Sequence, residues 1–162
     1  MIIIAVFYFN QSFLQCFNVA AFVVRELQPG MISPVSYTHL IAAALATLDV
    51  IEKEGLLRNS QEVGDYMQKR MADWPKKHKV VGDVRGRGLM IGVEIVKNQA
   101  TREYGASERD RIVEQAFERG VLFLGCGPST IRIAPPLIVT KDEADVAMDV
   151  LEEAIAMVEK SL

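Results

Sequence analysis

The stretch that decides the fold runs Val80-Val81-Gly82-Asp83-Val84-Arg85-Gly86-Arg87-Gly88-Leu89-Met90-Ile91-Gly92-Val93-Glu94-Ile95-Val96. Its β-branched and apolar residues predict a short strand over 80–84 and a stronger strand over 89–96. The two glycines between them, Gly86 and Gly88, predict a tight turn or bulge at a place where side chains would clash. We therefore expect a pair of strands joined by a glycine-containing turn.

Periodicity and propensity predict six further elements around these strands. They are helices over residues 41–54, 57–75, 107–119 and from 141 onward, and strands over 121–124 and 130–133. Thr140-Lys141-Asp142-Glu143 has the pattern of a capping box, which marks the start of the last helix. The order from residue 80 predicts an α+β domain, in which helices cover one face of a small, mostly antiparallel sheet of three to four strands. Two helices precede this domain.

Composition limits the classes of function. The chain has 162 residues, half of them hydrophobic, and a net charge of -3, which excludes disorder and argues against non-specific nucleic-acid binding. The basic run Lys76-Lys77-His78-Lys79 is expected to be a solvated loop. Cys16 and Cys126 lie far apart, without the spacing of a zinc or redox site, and this favours a reduced, cytoplasmic setting with no metal.

The first forty residues differ from the rest of the chain. Residues 1–24 have no charged side chain, but polar amides interrupt their apolar run, so no membrane span is expected. Val35-Ser36-Tyr37-Thr38-His39-Leu40 resembles the translation of a sequencing-library adapter. We therefore interpret 1–40 as foreign, 41–79 as leading helices and 80–162 as the small α+β domain. A genuine but unusual N-terminal segment, or a membrane tether formed by residues 2–24, is the alternative.

Arg132 is the main candidate for a binding residue. It lies in Ile131-Arg132-Ile133-Ala134-Pro135-Pro136-Leu137-Ile138-Val139-Thr140, where a strand and a Pro-Pro stop restrict the backbone. A guanidinium fixed in this way suits a carboxylate, because its planar donors match both oxygens. A structural arginine that pairs with Glu or Asp at the sheet surface explains the pattern equally well.

Two other features invite a functional interpretation that we consider weaker. Gly86, Gly88 and Gly92 have the spacing of neither a dinucleotide-binding loop nor a Walker loop, so a turn between strands is expected instead. Glu94 is a possible general base. No second carboxylate stands at a readable spacing from it, so a half-exposed residue or one paired with an arginine is the preferred interpretation.

From Ala42 onward the sequence resembles the C-terminal part of the class III (ω-amino-acid) aminotransferases, which are pyridoxal-phosphate enzymes of fold type I. Within that family it is most similar to the 4-aminobutyrate aminotransferase branch, which also contains amino-acid racemases. The segments that bear the resemblance are Ala42–Leu48, Val84–Glu94, Gly120–Leu122, Gly125–Gly127 and Ile131–Thr140.

The resemblance implies that Arg132 binds the carboxylate of an amino-acid or 2-oxo-acid substrate. It also implies pyridoxal 5'-phosphate as cofactor, a cytoplasmic homodimer or larger assembly, and transfer of an amino group from a 4-aminobutyrate-like donor to 2-oxoglutarate. The Schiff-base lysine and phosphate site of the family lie upstream of the retained part, so we expect this chain alone to be inactive. An amino-acid racemase and a non-catalytic small-molecule-binding module are the alternatives.

Overall fold

The computed structural model describes residues 35–162. This part of the chain forms five helices and five strands. In chain order they are α1 (Val35–Lys53), α2 (Leu56–Met71), α3 (Trp74–Lys77), β1 (Val81–Arg87), β2 (Met90–Asn98), β3 (Glu103–Tyr104), α4 (Ala106–Glu118), β4 (Leu124–Cys126), β5 (Thr130–Ile133) and α5 (Lys141–Lys160). The expectations for residues 1–34, a foreign segment or a membrane tether, lie outside the described residues.

The sheet has the order β1-β2-β5-β4, and every pairing in it is antiparallel. The two-residue strand β3 pairs with the end of β2, which adds one strand to the three or four expected. Residues of alternate position on the central strand point to one side, where Ile91, Val93 and Ile95 are at most 1% exposed. The predicted α+β class with a mostly antiparallel sheet is confirmed.

One continuous core lies between the sheet and the helices that cover one of its faces. Met67 and Met71 of α2, Ile112 of α4 and Leu151 of α5 are almost completely buried together with the inward side chains of the strands. Burying an aliphatic side chain of this size contributes about 1.5–3 kcal/mol, so these contacts dominate the stability of the sheet-containing unit. That compact unit comprises residues 58–162, whereas α1 lies in a different unit.

The turn between β1 and β2 is tighter than the sequence predicts. β1 continues through Gly86 and Arg87, which pair with Ile91 and Met90, so the turn itself contains only Gly88 and Leu89. Gly88 adopts a φ of 54°, a left-handed conformation that glycine reaches without strain. The first strand therefore extends to residue 87 instead of ending at residue 84.

Helix α2 contacts this turn through a second glycine. A Cβ atom added at Gly64 would lie 2.2 Å from both the carbonyl carbon and the oxygen of Gly88, so the two backbones touch directly. Ser60, one turn earlier in α2, accepts a hydrogen bond from the Leu89 amide at 3.4 Å. The helix thus locks the hairpin at its turn.

Four further predicted boundaries differ from the structure. Helix α2 ends at Met71, and Pro75 is instead the second residue of α3, in the first turn where its missing amide costs little. The strand predicted over 121–124 forms later in the chain, as β4 (Leu124–Cys126). Val121 and Phe123 precede this strand and are buried in the core. Helix α4 begins at Ala106, with Gly105 rather than Ser107 as its N-cap. Gly105 lies close to β2, because a Cβ atom added to it would be 3.1 Å from the backbone carbon of Val96.

The fourth difference is the start of α1, which begins six residues earlier than predicted, at Val35. Within α1, Ile41, Leu45 and Leu48 are exposed. The capping box at Thr140 and Glu143 is confirmed, with both reciprocal hydrogen bonds present.

An ion-pair network joins α2 to α5. Tyr66 donates a hydrogen bond to Asp145 at 2.7 Å, and Arg70 pairs with both Asp145 and Asp149. The hydrogen bond from Tyr66, with the help of Arg70, holds the pKa of the Asp145 carboxyl below its usual range. The same hydrogen bond raises the pKa of the Tyr66 hydroxyl, because ionisation would lose it.

We predict that Gly64→Ala destabilises the protein. Alanine favours helices over glycine, so a loss of stability would isolate the clash with Gly88. We expect the free energy of unfolding to fall by about 1–3 kcal/mol, the usual cost of overpacking. Urea denaturation followed by the fluorescence of Trp74, the single tryptophan, measures this. The exposed Glu62→Ala in the same helix is the control, and a Gly64→Ala protein as stable as that control would contradict the contact.

We also predict that stability falls in acid partly through Asp145. Its pKa is lowered on folding, so its contribution is complete above the unfolded pKa near 3.8 and is lost as the pH falls through the folded value. Asp145→Asn should therefore lower stability at pH 7 and lose less of it on acidification. Urea midpoints between pH 7 and pH 3 test this, with Glu153→Gln on the same helix as the control. Parallel pH curves for wild type and Asp145→Asn would refute it.

Candidate functional site

The face of the sheet opposite the helical core holds Arg132. Among the described residues this face is open, and Met90 and Leu124 on it are 71% and 59% exposed. The strand register places Arg132 in one row with Gly92 of β2 and Leu124 of β4. Alternation along β5 explains the orientation, since Ile131 and Ile133 on either side point into the core. The predicted orientation of Arg132 away from its isoleucine neighbours is confirmed.

The guanidinium of Arg132 has a thiol, rather than a carboxylate, as its neighbour. Its Nη2 atom lies 2.9 Å from the Sγ atom of Cys126 on β4. Within residues 39–162, no carboxylate oxygen lies within the 4.0 Å of an ion pair with Arg132, while the neighbouring arginine on β1, Arg85, has two such partners. Arg132 is therefore exposed, and its positive charge has no carboxylate partner among residues 39–162.

The backbone beyond Arg132 is held by a residue that the sequence interpretation missed. Asn59 of α2 donates hydrogen bonds from its Nδ2 atom to the carbonyl oxygens of Leu137 and Val139, at 2.7 and 3.0 Å. These bonds fix the segment that follows Pro135 and Pro136. In the sequence, Asn59 is distinguished only as a polar residue in the first turns of a helix. Its role is not visible there, because its partners lie 78 and 80 positions away.

Gly92 is the neighbour of Arg132 on the central strand, and it has no side chain. A Cβ atom at this position would lie 3.1 Å from Cγ2 of Thr130, which is tighter than ordinary packing. Gly86, Gly88 and Gly92 are thus positions in a β-hairpin, as expected, and they do not form a phosphate-binding loop. Of the three, Gly92 lies in the row of Arg132 on the open face, and its missing side chain keeps the sheet surface flat there.

Glu94 pairs with an arginine, as its position in the strand suggested. Its Oε2 atom lies 2.6 Å from Nη1 of Arg85, which also binds Asp83 at 2.9 Å. The hydrogen bonds from Glu94 and Asp83 raise the pKa of the Arg85 guanidinium above its usual value. Glu94 is engaged in this network and is not placed as a free general base.

The basic run at residues 76–79 is only partly the solvated loop that was expected. His78 is buried, with Nδ1 3.0 Å from Glu159 and Nε2 3.4 Å from Glu152, and Lys77 also pairs with Glu152. Burial raises the pKa of the Glu152 carboxyl, but the hydrogen bonds from Lys77 and His78 outweigh burial and lower it overall. The cluster joins α3 to α5 and lies apart from the row that contains Arg132.

Comparison with known proteins assigns the fold to a family. Residues 37–155 match the sequence profile described as Aminotransferase class-III. The chain belongs to the class III aminotransferases. The predicted family is therefore confirmed, and the match begins inside the adapter-like hexapeptide at residues 35–40.

Three relatives show the range of activities within this family. A leucine/methionine racemase of Thermococcus litoralis is 40% identical over 73% of this chain and 27% of its own length. A mitochondrial alanine–glyoxylate aminotransferase 2 homologue of Arabidopsis thaliana is 41% identical over 70% of this chain and 24% of its own. An amine transaminase from an uncultivated Pseudomonas species, solved in its PLP-bound internal aldimine form, gives a TM-score of 0.70 at 37% identity, over 74% of this chain and 28% of that one.

The chain spans about a quarter of the length of these relatives. The family is pyridoxal-phosphate dependent, but the residues present do not fit the cofactor. Every lysine within residues 39–162 is exposed, and two of them, Lys97 and Lys77, pair with Glu103 and Glu152. No lysine faces Arg132 across its row of the sheet. The described part of the chain thus contains an exposed arginine on the open face of the sheet but no lysine placed to anchor the cofactor.

The described part of the chain lacks two further classes of feature. It has no group of three or more His, Cys, Asp or Glu side chains arranged to hold a metal ion. None of its helices is both long and apolar enough to cross a membrane.

We predict that Arg132→Met leaves the fold stable. The guanidinium is exposed and its one described polar contact is a thiol, so the free energy of unfolding should change by less than about 0.5 kcal/mol. Ile131→Ala, at the adjacent buried position, should cost about 2–5 kcal/mol. Both values come from urea denaturation. A loss of more than about 2 kcal/mol in Arg132→Met would instead indicate a structural arginine.

Proposed function

We propose that this chain provides the substrate-carboxylate side of a pyridoxal-phosphate transaminase, with Arg132 as the residue that binds the carboxylate. The observation that supports the proposal most is the exposed guanidinium of Arg132, held on a sheet strand and free of carboxylate partners among residues 39–162. A side chain fixed in this way binds both oxygens of a carboxylate with little loss of conformational freedom.

The proposed reaction transfers an amino group from a 4-aminobutyrate-like donor to 2-oxoglutarate. Both molecules contain a carboxylate, so one arginine can orient each of them in turn. Orientation of this kind contributes to rate by holding the reacting carbon at a defined place relative to the cofactor. The cofactor supplies the electron sink for the chemistry. In this chain, Arg132 binds and orients the substrate, while Asn59 and the Pro135–Pro136 segment keep its strand in place.

An amino-acid racemase is the second candidate, and it is supported by the 40% identity to the leucine/methionine racemase. A racemase substrate also has a carboxylate, so the role of Arg132 is the same in both candidates. The two differ in whether a 2-oxo acid is consumed. A non-catalytic binding module is a third possibility, and it requires the isolated chain to bind amino acids through Arg132.

We further propose that these 162 residues alone are inactive, because none of the described lysines is placed to hold the cofactor. The parent enzyme is proposed to be a cytoplasmic homodimer or larger assembly, as the family resemblance implies. Mixing the purified chain with pyridoxal phosphate should therefore give no lysine-bound cofactor absorbance. A stable band that disappears on substitution of a lysine would contradict the inactivity.

A chimaera tests the role of Arg132. Residues 41–162 would replace the matching 28% of the Pseudomonas amine transaminase, which was solved with the cofactor bound. We expect Arg132→Gln in this chimaera to raise KM for amino acids and 2-oxo acids by roughly tenfold or more, the effect of losing a charge-assisted hydrogen bond. Single-turnover consumption of a primary amine without a carboxylate should be unchanged.

Arg87→Gln is the matched control, because Arg87 is exposed on β1 of the same sheet without belonging to the row of Arg132. Equal KM values for carboxylate substrates in the Arg132→Gln and Arg87→Gln chimaeras would refute the assignment. Inversion of amino-acid configuration without consumption of 2-oxo acid would favour the racemase.

A further inference from the structure

Two arginines flank Gly92 on the open face of the sheet. Arg85 of β1 and Arg132 of β5 are both register partners of Gly92, so their backbones lie two strand spacings apart, about 10 Å. Gly92 has no side chain to separate them. The carboxylate of Glu94 is two residues along the same strand, and it therefore projects from the same face.

Glu94 stands diagonally from both arginines. Its direct partners in the register are Asp83 on one side and Thr130 on the other, each two residues from one of the arginines. Long side chains at diagonal positions of neighbouring strands reach each other. By position alone, the carboxylate of Glu94 can reach the guanidinium group of either Arg85 or Arg132.

The side-chain contacts show that Glu94 pairs with Arg85 and not with Arg132. Glu94 binds Arg85 at 2.6 Å, and Asp83 binds the same nitrogen atom of Arg85 at 2.9 Å. Arg132 turns to the opposite side, where Nη2 meets the Sγ atom of Cys126 at 2.9 Å. The Glu94 side chain is 18% exposed and that of Arg85 55%, so Glu94 is the more buried member of the pair.

We propose that Arg85 is a positioning residue that holds Glu94 away from Arg132 and so keeps the Arg132 guanidinium available for a carboxylate ligand. This inference rests on the proposed role of Arg132 and deepens it. Arg85 touches no substrate in this account and acts only through Glu94.

The energetic reason lies in the burial of Glu94. Removal of Arg85 would leave a largely buried carboxylate without its partner, an unfavourable state for a charged group. The remaining guanidinium within reach is Arg132, on the other diagonal. A carboxylate fixed on the adjacent strand competes with a free ligand at a high effective concentration. Loss of Arg85 thus weakens ligand binding even though Arg132 itself is not substituted.

The rate at which phenylglyoxal modifies Arg132 tests the inference in the 162-residue chain. Peptide mapping by mass spectrometry measures the rate, with Arg102 in the loop after β2 as the internal reference. We expect Arg85→Met to slow modification of Arg132 by roughly two- to fivefold, the range for a partly exposed ion pair. Arg85→Lys, which retains the charge, should leave the rate at the wild-type value.

The double variant Arg85→Met/Glu94→Gln is the decisive experiment. It removes the competing carboxylate, so Arg132 should again be modified at the wild-type rate. A merely structural role of Arg85 would not be rescued in this way. Trp74 fluorescence verifies that each variant is folded, and Arg85→Gln serves as a second variant with the same expectation as Arg85→Met.

An unchanged Arg132 rate in both Arg85→Met and Arg85→Gln would overturn the inference, and so would slow modification that persists in the double variant. These outcomes are separate from the KM values of the chimaera. If labelling follows the expectation while Arg132→Gln leaves KM unchanged, the carboxylate role of Arg132 fails and the Arg85–Glu94 arrangement stands.

Discussion

The register of the central strand β2 is the constraint on which both the fold and the candidate site depend. β2 pairs with β1 on one side and β5 on the other, and its side chains alternate between the core and the open face. A shift of one residue would expose Ile91, Val93 and Ile95 and bury polar residues in their place. The same register places Gly92 between Arg85 and Arg132. The core and the candidate binding surface are therefore two consequences of one pairing.

Helix α2 secures this register from two directions. Near the hairpin turn, Gly64 contacts the backbone of Gly88, and Ser60 accepts from the Leu89 amide. At the other end of the site, Asn59 holds the carbonyl oxygens that follow the Pro-Pro segment. Residues within two turns of one helix thus restrain both strands that flank Gly92. The backbone at Arg132 on β5 gains its rigidity from these contacts, since the Arg132 side chain is exposed.

Membership of the class III aminotransferases gives this surface a chemical context. The relatives include a racemase and an aminotransferase, and the names of both refer to amino acids as substrates. A role in orienting a substrate carboxylate is consistent with a segment that has an accessible arginine but no placed lysine among residues 39–162. In our proposal, this part of the chain positions the substrate, and the cofactor is held by other parts of the enzyme. Arg85 and Glu94 then adjust how strongly Arg132 attracts its ligand.

Local sequence patterns determined much of this protein. Alternation identified the inward faces of β2 and β5, the capping box located the start of α5, and the family resemblance pointed to Arg132. These features depend on neighbouring residues, whose effects are visible in a short window. The end of β1, the start of β4 and the cap of α4 were not visible in this way. Backbone contacts with distant residues decided them, as at Gly64 and Gly105.

The sequence by itself determined that Arg132 would lie on a strand with its side chain turned away from two buried isoleucines. Only the tertiary structure decided that Glu94 pairs with Arg85, that Arg132 turns towards Cys126, and that Asn59 restrains the segment beyond it. The physical reason is that charge pairing depends on which strands are neighbours and in what register. Residues up to 80 positions apart set that arrangement, and no local pattern encodes it.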